Sequence, residues 1–296
     1  MEKGYEKISP TAWLTAYQRT LSDIPLSEEI FRELEEVIKH TESGGESLGI
    51  EELIRPRMSF IWESRFKIVN FLLKLQDIDQ ILEIASGYSP RGLNLARDPS
   101  IEYVEIDLPG VIQRKKRIVE KLINQAEVPI EPNLHLEEGN SLNMEDMLKA
   151  TNFFKKKPIA IVNEGLLPYL NHEEKTTLGR NIHQLLEYFG GVWITPDIST
   201  QAQVALFSDR IKKRAAKIEH LTGIDTMKNR FENEETACLF FDHLGFAVER
   251  HNFKEIADEL ILPRKLNLQK RRIDDILGYL IAFVMRVKTE RQKINE

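Results

Sequence analysis

The 296-residue chain contains a single cysteine, Cys238, which excludes an intramolecular disulfide and a cysteine-based metal site. Cys238 sits in the apolar helical stretch ACLFFDHLGF and is read as a buried, inert thiol. Long hydrophobic runs are also missing. The longest near-continuous one, ILGYLIAFVM at 276–285, is too short to span a bilayer, and MEKGYEKISP at the N-terminus has no apolar signal core. A cytoplasmic protein with no membrane association is expected. Nor is there an excess of basic charge: 41 Lys and Arg stand against 47 Asp and Glu, a net charge of −6, whereas a nucleic-acid binder usually needs a basic face. The clusters KKR (115–117), KKK (155–157), RIKKRAAK (210–217) and KRR (270–272) are read as solvated faces, and no nucleic-acid partner is expected. Several catalytic signatures are absent. There is no P-loop and no nucleophile elbow, and His172-Glu173-Glu174 is not a zinc-protease motif. The other histidines fall on separate elements, so no metal is expected.

What is present is an alternation. Residues 1–75 read as an N-terminal helical cap. TAWLTAYQRTL (11–21) is followed by a break at Pro25 and by a helix that Ser27 can cap. TESGGESLG (41–49) reads as a loop, and a longer helix covers 58–75. From residue 76 short apolar strands alternate with amphipathic helices. The strands fall at 80–85, 102–107, 134–138, 159–163, 191–196, 245–250 and 278–287. The first five predict right-handed crossovers and a parallel sheet covered on both faces, and the last two an antiparallel edge pair. The expected architecture is one α/β domain, 1–296, with a seven-stranded, mostly parallel, Rossmann-like sheet. A polar helical insertion near 198–235 would cover one end of it.

In such sheets ligands bind beyond the carboxyl ends of the strands, beside the first one. Here that place is EIASGYSPRG. Glu83 lies near the strand end, Ala85 is small, and Gly87 can take a positive φ and let a ligand approach the backbone. Ser89 reads as an N-cap and Pro90 as the first helical residue. A pyrophosphate needs free N–H groups at the helix start and a third glycine for close packing. Pro90 removes a donor, and that glycine is absent from its usual place. S-adenosylmethionine carries no phosphate and asks only for close backbone approach, for which one glycine suffices. Asp107, at the end of the second strand and 24 residues after Glu83, is placed to accept hydrogen bonds from ribose hydroxyls. By itself Asp107 separates neither nicotinamide dinucleotides nor S-adenosylmethionine.

ILEIASGYSPRG, YVEIDLPGVIQRKK and VNEGLLPYL together resemble the leucine carboxyl methyltransferase superfamily, in particular its bacterial polyketide O-methyltransferase-like branch. TAWLTAYQRTLSDIP also resembles the start of that branch. The resemblance implies the class I methyltransferase fold and S-adenosylmethionine as cofactor. It carries over at Arg65 (holding the methionine carboxylate), Gly87 (the loop), Asp107 (the ribose) and Glu164 (the methionyl end). Asn140 and Ser141 stand where the family usually has an acid contacting adenine, and the Asn140 amide oxygen is placed to accept from the adenine amino group. Ala85 replaces the first loop glycine.

Methyl transfer is an in-line displacement in which the protein supplies position and environment. Glu164 would orient the cofactor's ammonium and Tyr169 would line the acceptor pocket. Asn171 and Glu174 form an Asn-x-x-Glu cap, which leaves His172 as a first-turn surface residue. The expected activity is O-methylation of a small-molecule hydroxyl or a carboxylate. Two alternatives stand beside it, a nicotinamide-dependent oxidoreductase and a non-catalytic, partner-binding relative of the same fold.

Overall fold

The segment Ile81-Leu82-Glu83-Ile84 has almost no polar face to turn to water, and it forms a strand buried on both sides, β1 (Gln80–Ile84). The same pattern repeats in β4 (Ile159–Asn163). The computed structural model describes residues 9–41, 56–125, 133–206, 216, 218–220 and 222–289. All but the first residue of the loop expected over 41–49, nearly all of RIKKRAAK and part of the expected insertion lie outside the described residues.

In chain order the elements are α1 (Ser9–Thr20), α2 (Ser27–Thr41), α3 (Phe60–Gln76), β1, α4 (Arg91–Leu95), β2 (Glu102–Asp107), α5 (Pro109–Asn124), β3 (Leu134–Glu138), α6 (Met144–Ala150), β4, α7 (His172–Phe189), β5 (Gly191–Ile198), α8 (Gln201–Leu206), α9 (Glu234–His243), β6 (Phe246–Asn252), α10 (Leu262–Lys265), α11 (Lys270–Gly278) and β7 (Ile281–Val287). The sheet order is β3-β2-β1-β4-β5-β7-β6. β1 to β5 run parallel, and β7 is antiparallel to both β5 and β6. The expected antiparallel pair is present, but only β6 lies at the edge, because β7 inserts between it and β5. β7 also starts three residues later than read, since Gly278 closes α11.

Both faces of the sheet are covered by apolar clusters. A third cluster joins α1, α2 and α5, with the Phe31 ring centroid 5.1 Å from Trp13 and 5.3 Å from Tyr17. This cluster fixes the N-terminal helices over the carboxyl end of the sheet. Among the described residues no helix is long and apolar enough to cross a membrane.

Three local readings are corrected. Ser27 does not cap α2 but is its first residue. Leu26, at φ 63°, precedes it, and the Ser27 hydroxyl is buried without a hydrogen-bond partner. Cys238 is half-buried on α9, and burial raises its thiol pKa, so the thiol stays protonated. Lys115 is not solvated. It shares the inner face of α5 with Val111, Ile112, Ile118, Val119 and Leu122, and it is fully buried against Glu105 of β2. Helical spacing, rather than the run KKR, decides where it points.

Lys115→Met strands a buried carboxyl, and urea unfolding should show a loss of about 3–5 kcal/mol. The double variant Glu105→Leu/Lys115→Met, which removes both charges, should recover most of it. Equal losses in the two variants would show that the ion pair is not what holds α5 to β2.

Candidate active site

The strand order reverses between β1 and β4, and a cavity of about 370 Å³ opens at their carboxyl ends. Its floor is the turn after β1. Gly87 takes φ 54°, and its N–H donates to Asp107 Oδ2 at 2.7 Å. The other Asp107 oxygen accepts from Leu108 N at 2.7 Å. Burial raises the Asp107 carboxyl pKa, and the Gly87 and Leu108 N–H groups and Lys115 only partly oppose this. Ala85 keeps the left-handed geometry of a glycine at φ 52°, a conformation that costs an L-residue about 1–2 kcal/mol.

Helix α4 begins one residue later than read, with Pro90 as its N-cap residue. Pro90 has no N–H, and Arg91 N donates to Ser89 Oγ at 3.3 Å, so two of the groups that would cradle a pyrophosphate are missing. A close-packing glycine does exist, displaced to Gly92. A Cβ there would collide with Glu105, Leu134 and Tyr103.

Under the floor lies a buried charge network. Arg91, fully buried, pairs with Glu83 and donates to Glu164 Oε2 at 2.8 Å and to Asn70 Oδ1 at 2.8 Å. Its guanidinium stacks 4.6 Å from the Phe66 ring centroid, and Tyr103 donates to Glu83 Oε2 at 2.8 Å. Burial opposes the charge on Arg91, but Glu83 and then Glu164 outweigh it and hold its pKa above the ordinary value. On the other side, Arg19 Nη2 lies 3.1 Å from Glu164 Oε1. Burial alone would raise the Glu164 pKa. Arg19, then Arg91 and Arg65, overcome that and lower it to about 2.

The sequence-derived residues separate into two groups. Ala85, Gly87, Asp107, Asn140, Ser141, Glu164 and Tyr169 line the cavity. Glu83 and Arg65 do not. Glu83 is consumed by Arg91 and Tyr103. Arg65 pairs with Asp197, donates to Pro196 O at 3.4 Å and approaches Glu164 Oε1 only to 3.9 Å. The Asn140 amide oxygen accepts from Leu142 N at 2.9 Å, which differs from the expectation that it faces a ligand. Asn171 and Glu174 form the expected capping box, and His172 is exposed.

Two participants escape a reading of local motifs. Arg19, with Thr11 and Thr15, reaches the cavity from α1. The i, i+4, i+8 spacing of these three residues is the signal that puts them on one face. Asp197, at the end of β5, accepts from Gly165 N (2.8 Å), Leu166 N (2.7 Å), Leu167 N (3.1 Å) and Asn163 Nδ2 (2.7 Å). It thereby shapes the loop that carries Glu164 and Tyr169.

The sheet order, the crossover at β1 and β4 and the site at their carboxyl ends define the class I methyltransferase fold. Residues 50–183 match the family model for leucine carboxyl methyltransferase, so the family resemblance drawn from the motifs is shown over that segment. No curated protein matches the chain. Among solved structures, a DUF574 family protein from Streptomyces avermitilis is similar over 94% of this chain and 97% of its own, at 15% identity and a TM-score of 0.56. The methyltransferase domain of a bacterial CtHen1 aligns over 77% of this chain and 98% of its own, at 13% identity and a TM-score of 0.48. Human N-acetylserotonin methyltransferase aligns over 88% of this chain and 66% of its own, at 11% identity and a TM-score of 0.46. The fold comparison rests on the first of these.

Two predictions concern the site's stability. A carboxyl whose folded pKa is about 2, against an ordinary 4.5, stabilises the fold above about pH 4.5, and that contribution is lost as pH falls toward 2. Glu164→Gln should therefore flatten the acid limb of stability in that window by up to about 1.4 kcal/mol per pH unit, read from urea midpoints at successive pH values. An unchanged slope would mean that Glu164 titrates normally. Ala85→Gly should raise stability by about 1 kcal/mol by relieving the left-handed strain. Thermal unfolding that shows a loss would place the strain elsewhere.

Proposed function

We propose that the protein is an S-adenosylmethionine-dependent O-methyltransferase acting on an acceptor that arrives already ionised, a carboxylate or an acidic hydroxyl of a small molecule. The observation that carries this reading is the pair of cavity-facing acids, Asp107 and Glu164, one at each side of the β1 turn. Both have acceptor capacity to spare. Glu164 Oε1 is buried without a hydrogen-bond partner, although Arg19 lies beside it. Each Asp107 oxygen accepts only one N–H bond from the chain.

These residues fit the cofactor. Asp107 would accept the two ribose hydroxyls, and Glu164 Oε1 the α-ammonium. Arg19 would take the α-carboxylate, because its Nε–H is buried without a partner at the cavity wall. Arg65 would act at longer range, as its guanidinium is held by Asp197. Asn140 would present its amide NH2, rather than its oxygen, to the adenine ring. Gly87 lets the backbone approach, and Ser141 borders the same wall. When bound, the cofactor supplies an electrophilic methyl group on sulfur.

The ionised acceptor follows from the lack of a base. Among the described residues lining the cavity there is no histidine, and its only acids are Asp107 and Glu164. Glu164, lowered to about 2 by three arginines, is a poor proton acceptor, and Asp107 is assigned to the ribose. Tyr169 would border the acceptor without exchanging protons with it.

Calorimetric titration with S-adenosylhomocysteine, with NADH as control, tests the reading. The first should bind and the second should not. Asp107→Ala should weaken binding by about 1.5–3 kcal/mol, roughly ten- to hundredfold. Arg19→Met should weaken it more than Arg65→Met does. Binding of NADH instead, or an unchanged affinity in Asp107→Ala, would overturn the assignment.

A further inference from the structure

A second cavity of about 370 Å³ shares no lining residue with the cofactor cavity. It is walled by the first turn of α7 and the turn 228–231. Three cations meet there: Lys175, Lys228 and Arg230, with His172 beside them. The one acid in the wall among the described residues, Glu173, sits on the exposed first turn of α7.

None of the three cations has a carboxylate within ion-pair distance among the described residues. Lys175, buried to 3% exposure, donates instead to two backbone carbonyls, Leu170 O and, at 2.7 Å, Asn229 O. Arg230 donates to the Ser199 hydroxyl, and its Nε–H is buried with no partner at all. Asp225 turns one oxygen, Oδ1, to its own turn, where it accepts from Met227 N and Lys228 N at 2.9 Å each.

Burying a charge is costly unless it is paired. The cost shows both at buried Lys175 and at half-buried Arg230. Burial lowers the pKa of Arg230, and the charge of Arg65 lowers it further. Burial lowers Lys175 to about 8, with Glu174 and Asp197 giving only partial relief. The buried arginines Arg19 and Arg91 have carboxylates beside them. Arg230, half-buried with its Nε sealed from water, has no carboxylate beside it among the described residues, and it lines an open cavity.

From this convergence of donors and the missing counter-charge we infer that Arg230, Lys175 and Lys228 form an oxyanion site for a phosphate group. The site is separate from the cofactor cavity and does not depend on the methyltransferase reading. Guanidinium and ammonium donors brought together from α7 and the turn 228–231 suit a tetrahedral dianion, which offers acceptors in several directions at once. The same chemistry comes from two sources, free inorganic phosphate or a phosphate ester carried by a larger molecule.

Calorimetric titration of the full chain in Tris buffer, with inorganic phosphate in one arm and phenyl phosphate in the other, tests the site. At least one should bind saturably, one to one, with Kd below about 1 mM. Equal affinity in the two arms assigns the site to free phosphate, and at least tenfold tighter ester binding assigns it to a phosphorylated molecule. Arg230→Met should weaken binding at least tenfold. Because that variant alters a half-buried residue, Lys228→Glu, at an exposed position, serves as the second probe and should weaken binding by a similar factor while leaving the melting temperature unchanged. No saturable binding in either arm would overturn the inference. So would binding that Lys228→Glu leaves untouched.

Discussion

The structure depends on one buried arginine. Arg91 sits at the first position of a five-residue helix, sealed from water, and its guanidinium joins that helix to three other elements. It takes Glu83 from β1, Glu164 from the end of β4, Asn70 from α3, and the face of Phe66 from the same helix. A buried guanidinium is unfavourable unless nearly all its donors are used, so these partners cannot drift independently. The position of Glu164, and with it the cavity wall, is fixed from beneath the site.

Above that network the N-terminal helices complete the site. Arg19 on α1 approaches Glu164 from the opposite side, so one carboxylate is shared by arginines from α1 and α4, with Arg65 of α3 a little farther off. Such sharing keeps Glu164 ionised down to about pH 2 and makes it an electrostatic fixture rather than a proton carrier. Asp197 organises its neighbourhood similarly, with backbone N–H groups from the β4 loop converging on a single buried carboxylate. Preorganisation of this kind suits a reaction in which the protein's task is placement.

Much of the fold was legible because its signals are local. Continuous apolar strands, Gly87 in the turn, Asp107 before a Pro-Gly helix start and the Asn171–Glu174 box each lie within a few residues. The seven strands fell within a few residues of their places. The failures share a cause too. Lys115 reads as one of three surface cations, and only its place on the inner face of α5 buries it against Glu105. Arg65 and Glu83 read as ligand-facing because of where they stand in the chain. What faces the cavity is decided by which partners reach each side chain first, and Arg91, Tyr103 and Asp197 reach these two.

The sequence by itself determined the alternation of strand and helix, the open α/β class, the carboxyl-end location of the cavity, and Gly87 and Asp107 as residues that line it. Apolar periodicity, turn chemistry and strand ends suffice for these. Only the tertiary structure decided that β7 separates β5 from β6, that Arg19 and not Arg65 reaches the cavity, and that half-buried Arg230 has no carboxylate beside it among the described residues. Each of those outcomes depends on groups tens to hundreds of residues apart competing for the same few buried partners. A one-dimensional pattern carries no record of that competition.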